Sequence, residues 1–371
     1  MFVVHVDRQR SFTGQIQRGL REVDALLGAG HQVGVIAHPG SALARRARER
    51  GVEVWELPMR GPALYLSILH AARALRGRGV DVLHCHGGRD QVLALAVATL
   101  AGVPHLVRTK HNHTTPRGWR HRLTYRRCDR IVAVSDYVRD QLVAAGLEPA
   151  RVVSIPTAID VARFRPRPRD PALAASLGIS PDDLVVGNVS SLHRRKGTED
   201  LLHALAKLTR APHGARVRGL LVGKARAQWQ PLAQQLGLGS RVIFPGFRDD
   251  VPELLALFDV YALPSHHEAL GTGALEAMAA GLALVVSDVE GLAEAVAPGT
   301  GLRVPPADPE RLAAAIESLL EDPSQRRALG EAARARAVAE YDEKTLAARM
   351  LALYGEVLSR GQRPADGRVH A

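Results

Sequence analysis

Short apolar runs alternate with helix-length amphipathic segments along the whole chain, and this alternation constrains the fold most. Each run is five to eight residues long, as in FVVHV at residues 2–6, and the segment that follows it at residues 14–29 is amphipathic. Apolar runs separated by helices are typical of buried parallel strands in doubly wound α/β sheets. The predicted strands are residues 2–6, 32–38, 52–58, 81–86, 105–111, 130–135, 151–156, 183–190, 217–223, 241–246, 259–265, 283–288 and 301–306.

A segment rich in proline and charge interrupts the alternation. RFRPRPRDP, at residues 163–171, cannot continue a helix or a central strand and is predicted to be a linker. A chain of 371 residues is long enough for two domains of roughly 170 residues each. We therefore predict an N-terminal domain at 1–165, a C-terminal domain at 172–342, a helix at 343–360 that packs back on the N-terminal domain, and a flexible tail at 361–371.

The net charge of +11 is concentrated in the first half. Residues 1–170 carry 27 Lys+Arg against 14 Asp+Glu, a balance of +13, and the remaining residues carry 22 against 24, a balance of −2. A basic half facing an anionic surface or substrate is one interpretation. The other is a general preference for arginine, since five of the 49 basic residues are lysines.

The chain is expected to be cytoplasmic. Its longest apolar run, LALAVATLAGV at residues 93–103, is shorter than the roughly 20 residues of a bilayer span and is predicted to be a buried helix. The start of the chain does not resemble a signal peptide. Cys85 and Cys128 fit reduced thiols, and no pattern supports a disulfide between them.

Consecutive cations follow one predicted strand of the second half. Arg194, Arg195 and Lys196 precede Gly197 and the start of a helix. Side-chain charge, helix dipole and unpaired N–H groups then point the same way, which predicts a phosphate site; a solvated basic loop is the alternative. The sequence has no GxGxxG, no P-loop and no Asp-x-Asp pair, so Lys and Arg would neutralise the phosphates themselves.

Two glutamates bracket a glycine loop in SHHEALGTGALEAMAAG, residues 265–281. Glu268 is predicted in a strand-to-helix loop and Glu276 in the first turn of the following helix, on either side of Gly271-Thr272-Gly273. Carboxylates accept hydrogen bonds from vicinal hydroxyls, and glycine N–H groups allow close approach, as a nucleotide diphosphate sugar requires. The alternatives are a helix-dipole acid for Glu276 and an exposed loop residue for Glu268.

Four segments together resemble the retaining family 4 glycosyltransferases of the GT-B fold, over nearly the whole chain. The resemblance is nearest to members that build lipopolysaccharide and other cell-envelope glycans. It implies two Rossmann-like, doubly wound parallel-sheet domains that face each other across a cleft. The segments are the E-x7-E signature at 267–296, the phosphate-binding loop at 191–205, the preceding FPGFRDDVPELLALFDVYALPS at 244–265, and the interdomain IPTAIDVARF at 155–164.

The resemblance assigns roles by position. Glu276 is expected to bind the donor ribose and Glu268 a donor sugar hydroxyl, while Lys196 with Arg195 stabilises the departing diphosphate. Backbone at Leu270, Gly271 and Thr272 is expected to contact the sugar and phosphates, Gly14 and Gln15 to belong to the family's glycine loop, and His111 to be its cleft histidine.

Three positions depart from the family pattern. Ser191 stands where an arginine is common, which leaves Arg194 and Arg195 as candidates for that role. Glu290 replaces the first of two paired glycines, and Ala158 replaces the interdomain glycine. These departures bear on which donor is used.

The expected mechanism needs no metal and no cofactor beyond the nucleotide sugar. The sequence offers no evident nucleophile, which favours a same-face displacement in which the donor phosphate accepts the acceptor's proton. His111 would orient the sugar or assist the proton. His266 and His267 are adjacent, and adjacent residues rarely converge on one ion.

The acceptor is expected to contact the first domain. In RGWRHRLTYRR, residues 117–127, Trp119 and Leu123 have helical spacing among arginines. This favours peripheral binding at the inner face of an anionic membrane and a lipid-linked or lipopolysaccharide acceptor, and the alternative is a helix with Trp119 in the core. The predicted membrane or acceptor face is Arg117, Trp119, Arg120 and Arg122.

Two other functions fit part of the pattern. A nucleotide-sugar epimerase shares the fold and would act on the donor alone. The pI of 10.3 also suggests a nucleic-acid-binding protein. Because the aromatic residues are few and scattered, we expect no nucleic acid partner.

Overall fold

The computed structural model describes residues 1–11, 13–88, 90–112, 124–212, 214–224 and 226–361. The chain divides into two compact units. Unit 1 comprises Met1–Thr157 and the C-terminal segment from Glu343, and unit 2 comprises Ala158–Asp342.

Within the described residues, unit 1 contains a seven-stranded parallel sheet in the order β3-β2-β1-β4-β5-β6-β7. Helices alternate with the strands, as the sequence predicts. The strands are β1 (Phe2–Asp7), β2 (Gln32–Ala37), β3 (Glu53–Glu56), β4 (Val82–Cys85), β5 (His105–Lys110), β6 (Arg130–Ala133) and β7 (Val152–Ser154). The helices are α1 (Gly14–Gly28), α2 (Ala42–Arg48), α3 (Ala63–Leu75), α4 (Asp90–Ala101) and α5 (Asp136–Ala144).

In its described part, unit 2 contains a six-stranded parallel sheet in the order β10-β9-β8-β11-β12-β13. The strands are β8 (Leu184–Val189), β9 (Val217–Val222), β10 (Val242–Gly246), β11 (Val260–Leu263), β12 (Ala283–Ser287) and β13 (Leu302–Val304). The helices are α6 (Pro171–Ser176), α7 (Thr198–Leu208), α8 (Arg226–Gln235), α9 (Val251–Leu255), α10 (Thr272–Ala279), α11 (Glu290–Ala295), α12 (Pro309–Glu321) and α13 (Pro323–Glu340).

Both sheets reverse their direction of winding at the equivalent strand. Counted within each unit, the first strand lies between the second and the fourth, so the direction of winding reverses beside it. In doubly wound sheets, ligands bind beyond the carboxyl ends of the strands at this switch point. In unit 1 the switch lies between β1 and β4, and in unit 2 between β8 and β11.

The predicted fold class is confirmed. Each strand overlaps one of the predicted apolar runs, and β1, β4, β5, β11 and β12 are buried along their whole length. Burial on both faces explains why these runs are continuously apolar instead of alternating. Asp308, which precedes Pro309, caps α12 as expected: its side chain accepts a hydrogen bond from the Arg311 N–H.

The last described helix, α14 (Glu343–Gly361), belongs to unit 1 and packs on α1. Glu343 forms an ion pair with Arg21 of α1. Tyr354 is fully buried, and its hydroxyl lies 2.6 Å from His84 Nδ1. A segment distant in sequence therefore completes the core behind β1 and β4.

Cys85 and Cys128 are buried free thiols. None of the described helices is both long and apolar enough to span a bilayer.

Candidate active site

Two loops of unit 2 lie side by side because the strands before them are neighbours. Val260 of β11 pairs with Val186 of β8, so both strands deliver their following loops to one edge of the sheet. We call residues 190–197, after β8, the cation loop, and residues 264–271, after β11, the acid loop. The backbone N–H of His266 donates to the Arg195 carbonyl at 2.9 Å and joins the two loops.

Left-handed backbone and close packing shape the cation loop. Leu192 has φ +47° and Gly197 has φ +65°. A β-carbon on Gly197 would overlap the Pro264 carbonyl, so only glycine permits this approach to the acid loop. The indole N–H of Trp229 donates to the Leu192 carbonyl at 2.5 Å and fixes the turn.

Lys196 is the cation that the fold directs inward. Its side chain is 16% exposed and forms an ion pair with Glu268, whose side chain is 14% exposed. Ser265 Oγ lies 3.4 Å from the same carboxylate. Ser191, Arg194 and Arg195 are exposed, and Arg194 approaches Glu199 at 3.9 Å. The loop therefore brings Lys196 and Glu268 together and leaves both arginines at the rim.

The acid loop ends in a left-handed glycine at which α10 begins. Gly271 has φ +86°, and a β-carbon there would lie 2.5 Å from Leu292. A β-carbon on Gly273 would lie 2.6 Å from both the Tyr261 hydroxyl and the Val189 carbonyl. The first turn of α10, which starts at Thr272, is thereby held against the end of β8, and Leu270 is buried beneath it.

Glu276 lies in the second turn of α10, so the prediction of a first-turn position is wrong. The helix starts at Thr272, directly after Gly271, and Glu276 is its fifth residue. Helix-dipole stabilisation fades beyond the first turn, which weakens that alternative for Glu276. Burial raises the pKa of Tyr261, and the carboxylates of Glu276 and then Glu268 raise it further. Both acids therefore lie near the Tyr261 hydroxyl.

Two acids that the sequence did not predict as site residues orient the acid loop. Glu290 accepts from the Glu268 backbone N–H at 3.1 Å and lies 2.9 Å from His267 Nδ1. Its φ of +24° is unusual for a residue other than glycine, which fits its position in place of a family glycine. Asp200 lies 2.6 Å from His266 Nε2, so the two adjacent histidines contact different acids.

In unit 1, the predicted glycine loop lies at the end of β1. Gly14 is the first residue of α1, and the Gln15 amide donates to Asp7 Oδ2 at 2.8 Å. Burial raises the pKa of Asp7. Burial, followed by the neighbouring Asp7, raises the pKa of Asp90 to about 7 at the start of α4.

His111 follows β5 at the same edge of the sheet in unit 1. Its Nε2 lies 3.2 Å from Nδ1 of His86, which follows β4. Burial, and then the positive charges of Arg18, Arg108 and Lys110, lower the pKa of His111 well below its ordinary value. His111 is therefore neutral at pH 7. Arg117, Trp119, Arg120 and Arg122 lie outside the described residues.

A buried polar cluster lies behind His111. His5, Glu22, His84 and His86 present potential metal-ligand atoms within 4.8 Å of one another. Several of these atoms have hydrogen-bond partners: His5 Nδ1 lies 2.9 Å from His86 Nε2, and His84 Nδ1 contacts the Tyr354 hydroxyl. This cluster was not predicted from the sequence. The available signal was three histidines inside predicted buried strands.

Comparison with known proteins gives the family. The Glycosyltransferase Family 4 model matches residues 20–163, and the Glycosyl transferases group 1 model matches residues 170–336. The chain is 32% identical over 317 residues to a D-inositol 3-phosphate glycosyltransferase of Kineococcus radiotolerans, covering 76% of this chain and 73% of that protein. It is 29% identical to an alpha-maltose-1-phosphate synthase of Mycolicibacterium smegmatis, with 92% of each chain covered.

A solved structure gives the same fold. The Anabaena Alr3699/HepE protein, in complex with UDP, superposes with a TM-score of 0.84 at 23% identity, over 96% of this chain and 100% of that one. Family models match both halves of the chain, and the Kineococcus relative aligns with 76% of it. The chain belongs to the GT-B glycosyltransferases of the family 4 and group 1 type, which act on nucleotide sugars.

Proposed function

We propose that the protein is a metal-independent, retaining glycosyltransferase that moves a sugar from a nucleotide diphosphate sugar to an anionic glycan or lipid-linked acceptor. The pairing of Lys196 with Glu268, beside Glu276 and the start of α10, is the observation that carries this proposal. It combines one inward cation for a diphosphate with two acids for neighbouring hydroxyls.

The ion pair also suggests how the donor binds. In the structure, Lys196 and Glu268 compensate each other's charge in a half-buried position. A diphosphate replaces Glu268 as the partner of Lys196, and the freed carboxylate accepts hydrogen bonds from the sugar hydroxyls. Glu276 accepts from the ribose hydroxyls in the same way. Donor binding thus replaces the ion pair between Lys196 and Glu268 with one between Lys196 and the diphosphate.

Charge stabilisation drives the chemical step. The bond between the sugar's anomeric carbon and the diphosphate breaks, and the acceptor oxygen bonds to that carbon on the same face. The acceptor proton passes to a phosphate oxygen of the leaving nucleoside diphosphate. Lys196, assisted by Arg195 at the rim, stabilises the charge that develops on the diphosphate. His111 orients the sugar.

The acceptor proposal depends on charge. Residues 1–170 carry the +13 balance, which supports an anionic acceptor such as a lipid-linked or lipopolysaccharide intermediate at the inner face of a membrane. The name of the Kineococcus relative, a D-inositol 3-phosphate glycosyltransferase, includes an anionic compound, which also supports an anionic acceptor. Parallel assays with inositol phosphates and with lipid-linked glycans distinguish the soluble acceptor from the membrane-bound one.

A donor panel tests the proposal. Thermal stabilisation by a set of nucleotide diphosphate sugars identifies the donor, and titration calorimetry then compares the parent with Glu276→Ala. We expect tenfold to hundredfold weaker donor binding in the variant, because two charge-assisted hydrogen bonds are lost. Glu317→Ala, a half-buried helical glutamate of unit 2 outside both loops, is the matched control and should bind like the parent.

Product analysis tests the reaction itself. The proposal requires an acceptor, full activity in EDTA, and a product with the anomeric configuration of the donor by NMR. Conversion of the donor alone to a second nucleotide sugar would identify an epimerase instead. Equal donor binding by the parent and Glu276→Ala would contradict the site.

A further inference from the structure

Three imidazoles form a hydrogen-bonded row in unit 1. His111 Nε2 lies 3.2 Å from His86 Nδ1, and His86 Nε2 lies 2.9 Å from His5 Nδ1. His5 and His86 are buried, whereas His111 is half-buried at the edge of the sheet. We call these three residues the imidazole row. It connects the histidine placed at the site by the family resemblance with the interior of the unit.

Each ring of the row is neutral. Burial lowers the pKa of His5 to about 3, and it lowers the pKa values of His86 and His111 well below their ordinary value. A neutral imidazole has one N–H donor and one acceptor nitrogen. The two hydrogen bonds of the row must therefore both run outward, towards His111, or both run inward, towards His5.

The inner end of the row selects the direction. His5 Nε2 is buried and has no hydrogen-bond partner. If the bonds ran inward, Nε2 would carry a buried proton with no acceptor. If they run outward, it carries only an unused lone pair. An orphaned buried N–H is rarer than an unused acceptor, so the outward direction is favoured.

The carboxylate of Glu22 does not select a direction. Its Oε2 lies 4.0 Å from His5 Nδ1 and 3.8 Å from His86 Nε2, so it faces both nitrogens of the inner hydrogen bond. The unpartnered Nε2 of His5 therefore decides the direction, and the hydrogen bonds run outward. His5 Nδ1–H then donates to His86 Nε2, and His86 Nδ1–H donates to His111 Nε2.

We propose that His86, supported by His5, is a positioning residue that holds His111 as its Nδ1–H tautomer. Nδ1 of His111 makes no hydrogen bond with the described residues, so it is the nitrogen that remains for a ligand. His111 then donates a hydrogen bond to a sugar oxygen and does not act as the proton acceptor. That contact rests on the function proposed above, whereas the tautomer is a property of the unliganded protein.

His84 provides a matched control. It lies two residues before His86, is equally buried and stacks on it with ring centroids 4.4 Å apart. Its nitrogens contact the Tyr354 hydroxyl at 2.6 Å and Thr109 Oγ1 at 2.8 Å, so it is outside the imidazole row. Replacing His84 disturbs the same core without breaking the row.

Long-range ¹H–¹⁵N spectra of the full chain, with ¹⁵N-labelled histidine and no substrate, test the proposal. His111→Ala identifies the His111 signals. We expect Nδ1 of His111 to carry the proton in the parent and in His84→Gln. His86→Phe should lose this preference, whereas His86→Asn, whose amide replaces the Nδ1–H donor, should retain it.

Turnover adds a second readout. Because one orienting hydrogen bond is lost, we expect His86→Phe to lower kcat about threefold to tenfold with little change in donor affinity, and His86→Asn to recover most of it. If His86→Phe does not fold, His5→Phe replaces it, since it removes the donor to His86 Nε2.

Three outcomes would overturn the proposal. The first is an Nε2–H tautomer of His111 in the parent, and the second is an unchanged tautomer in His86→Phe. The third is a stoichiometric divalent metal in the purified protein that His5→Ala removes, because a metal would occupy the nitrogens that form the row. The tautomer and metal measurements need no substrate, so they remain valid if the transferase assay fails. The two proposals are therefore tested separately.

Discussion

The switch-point edges of the two sheets share one topology and have opposite chemistry. In unit 1 the edge and the core behind it gather His5, His86 and His111, which are neutral. In unit 2 it gathers Lys196 and Glu268, a half-buried ion pair. Strand order brings the residues together in both cases, and burial decides what they do.

This difference suits the two edges to different tasks: holding a side chain in a fixed orientation in unit 1, and exchanging ionic partners in unit 2. Neutral groups sealed in a core form hydrogen bonds with few competitors, so their geometry is fixed before a ligand arrives. A charged pair at an open edge can change partners when a diphosphate arrives, because water and the ligand both compensate the charges. Unit 1 is therefore suited to orient a group, and unit 2 to bind and release an anion.

Removing the inward cation should produce the largest effect. Lys196→Ala leaves Glu268 unpaired and the leaving diphosphate less stabilised, so we expect kcat to fall about 10²–10³-fold, equivalent to about 2.7–4 kcal/mol. Steady-state kinetics with the identified donor measure this. Lys207→Ala, which removes an exposed partner of Glu310, should behave like the parent. A loss confined to KM would show that Lys196 contributes binding only.

Acid should unfold unit 1 before unit 2. The pKa values of His5, His84, His86 and His111 are lowered from 6.5, so their stabilisation is present above that pH and is lost as pH falls towards their folded values. Glu22 and Asp90, with pKa values raised to about 7, and Asp7, whose pKa is also raised, oppose this loss because the native state binds their protons first. Four histidines outweigh three acids by one proton.

The free energy of unfolding of unit 1 then falls by about 1.4 kcal/mol per pH unit for each proton that the unfolded state binds in excess of the native state. For one such proton the loss is about 2–3 kcal/mol between pH 6.5 and 4.5. In unit 2, Asp250 and Glu310 have lowered pKa values, and their stabilisation persists until lower pH. Hydrogen exchange read by mass spectrometry at pH 7 and pH 5 resolves the two units. Equal acid sensitivity would remove the contrast between the two edges.

Replacing Gly197 tests how closely the cation loop and the acid loop of unit 2 must pack. Gly197→Ala combines a left-handed conformation with overlap of the Pro264 carbonyl, and we expect a loss of about 1–3 kcal/mol in the free energy of unfolding, together with weaker donor binding. Gly237 has φ +73° and no atom near its β-carbon position, so Gly237→Ala should cost about 1 kcal/mol and leave donor binding unchanged. Urea unfolding and calorimetry compare them.

The smallest effect is expected at Glu290. Glu290→Gln keeps an oxygen for the Glu268 N–H and removes only the charge beside His267, whose side chain is 60% exposed. We expect a change of at most about 1 kcal/mol, seen as a donor KM within fivefold of the parent. A larger change would place Glu290 in direct contact with the donor.

Sequence predicted the fold because burial leaves a pattern in the chain. Parallel strands covered on both faces must be apolar along their length, and Asp308 with Pro309 specifies a helix start chemically. The start of α10 was misplaced because it depends on the left-handed backbone of Gly271, which an apolar period does not show.

The residues of the site were harder to predict because they meet through tertiary structure. Glu268 and Glu276 were identified from local spacing together with the family resemblance, but the pairing of Glu268 with Lys196 needed the register of β8 and β11. The imidazole row joins β1 to the residues that follow β4 and β5, which no local pattern connects.

The return of α14 to unit 1 has a consequence for biosynthesis. Unit 2 is contiguous in sequence, whereas unit 1 acquires the buried Tyr354 only after all of Ala158–Asp342 has left the ribosome. Until then His84 lacks its hydroxyl partner and the face of α1 that α14 covers stays open to solvent. The earlier-synthesised unit is thus the later one to finish folding, and a fragment ending at Thr157 would hold an unfinished core.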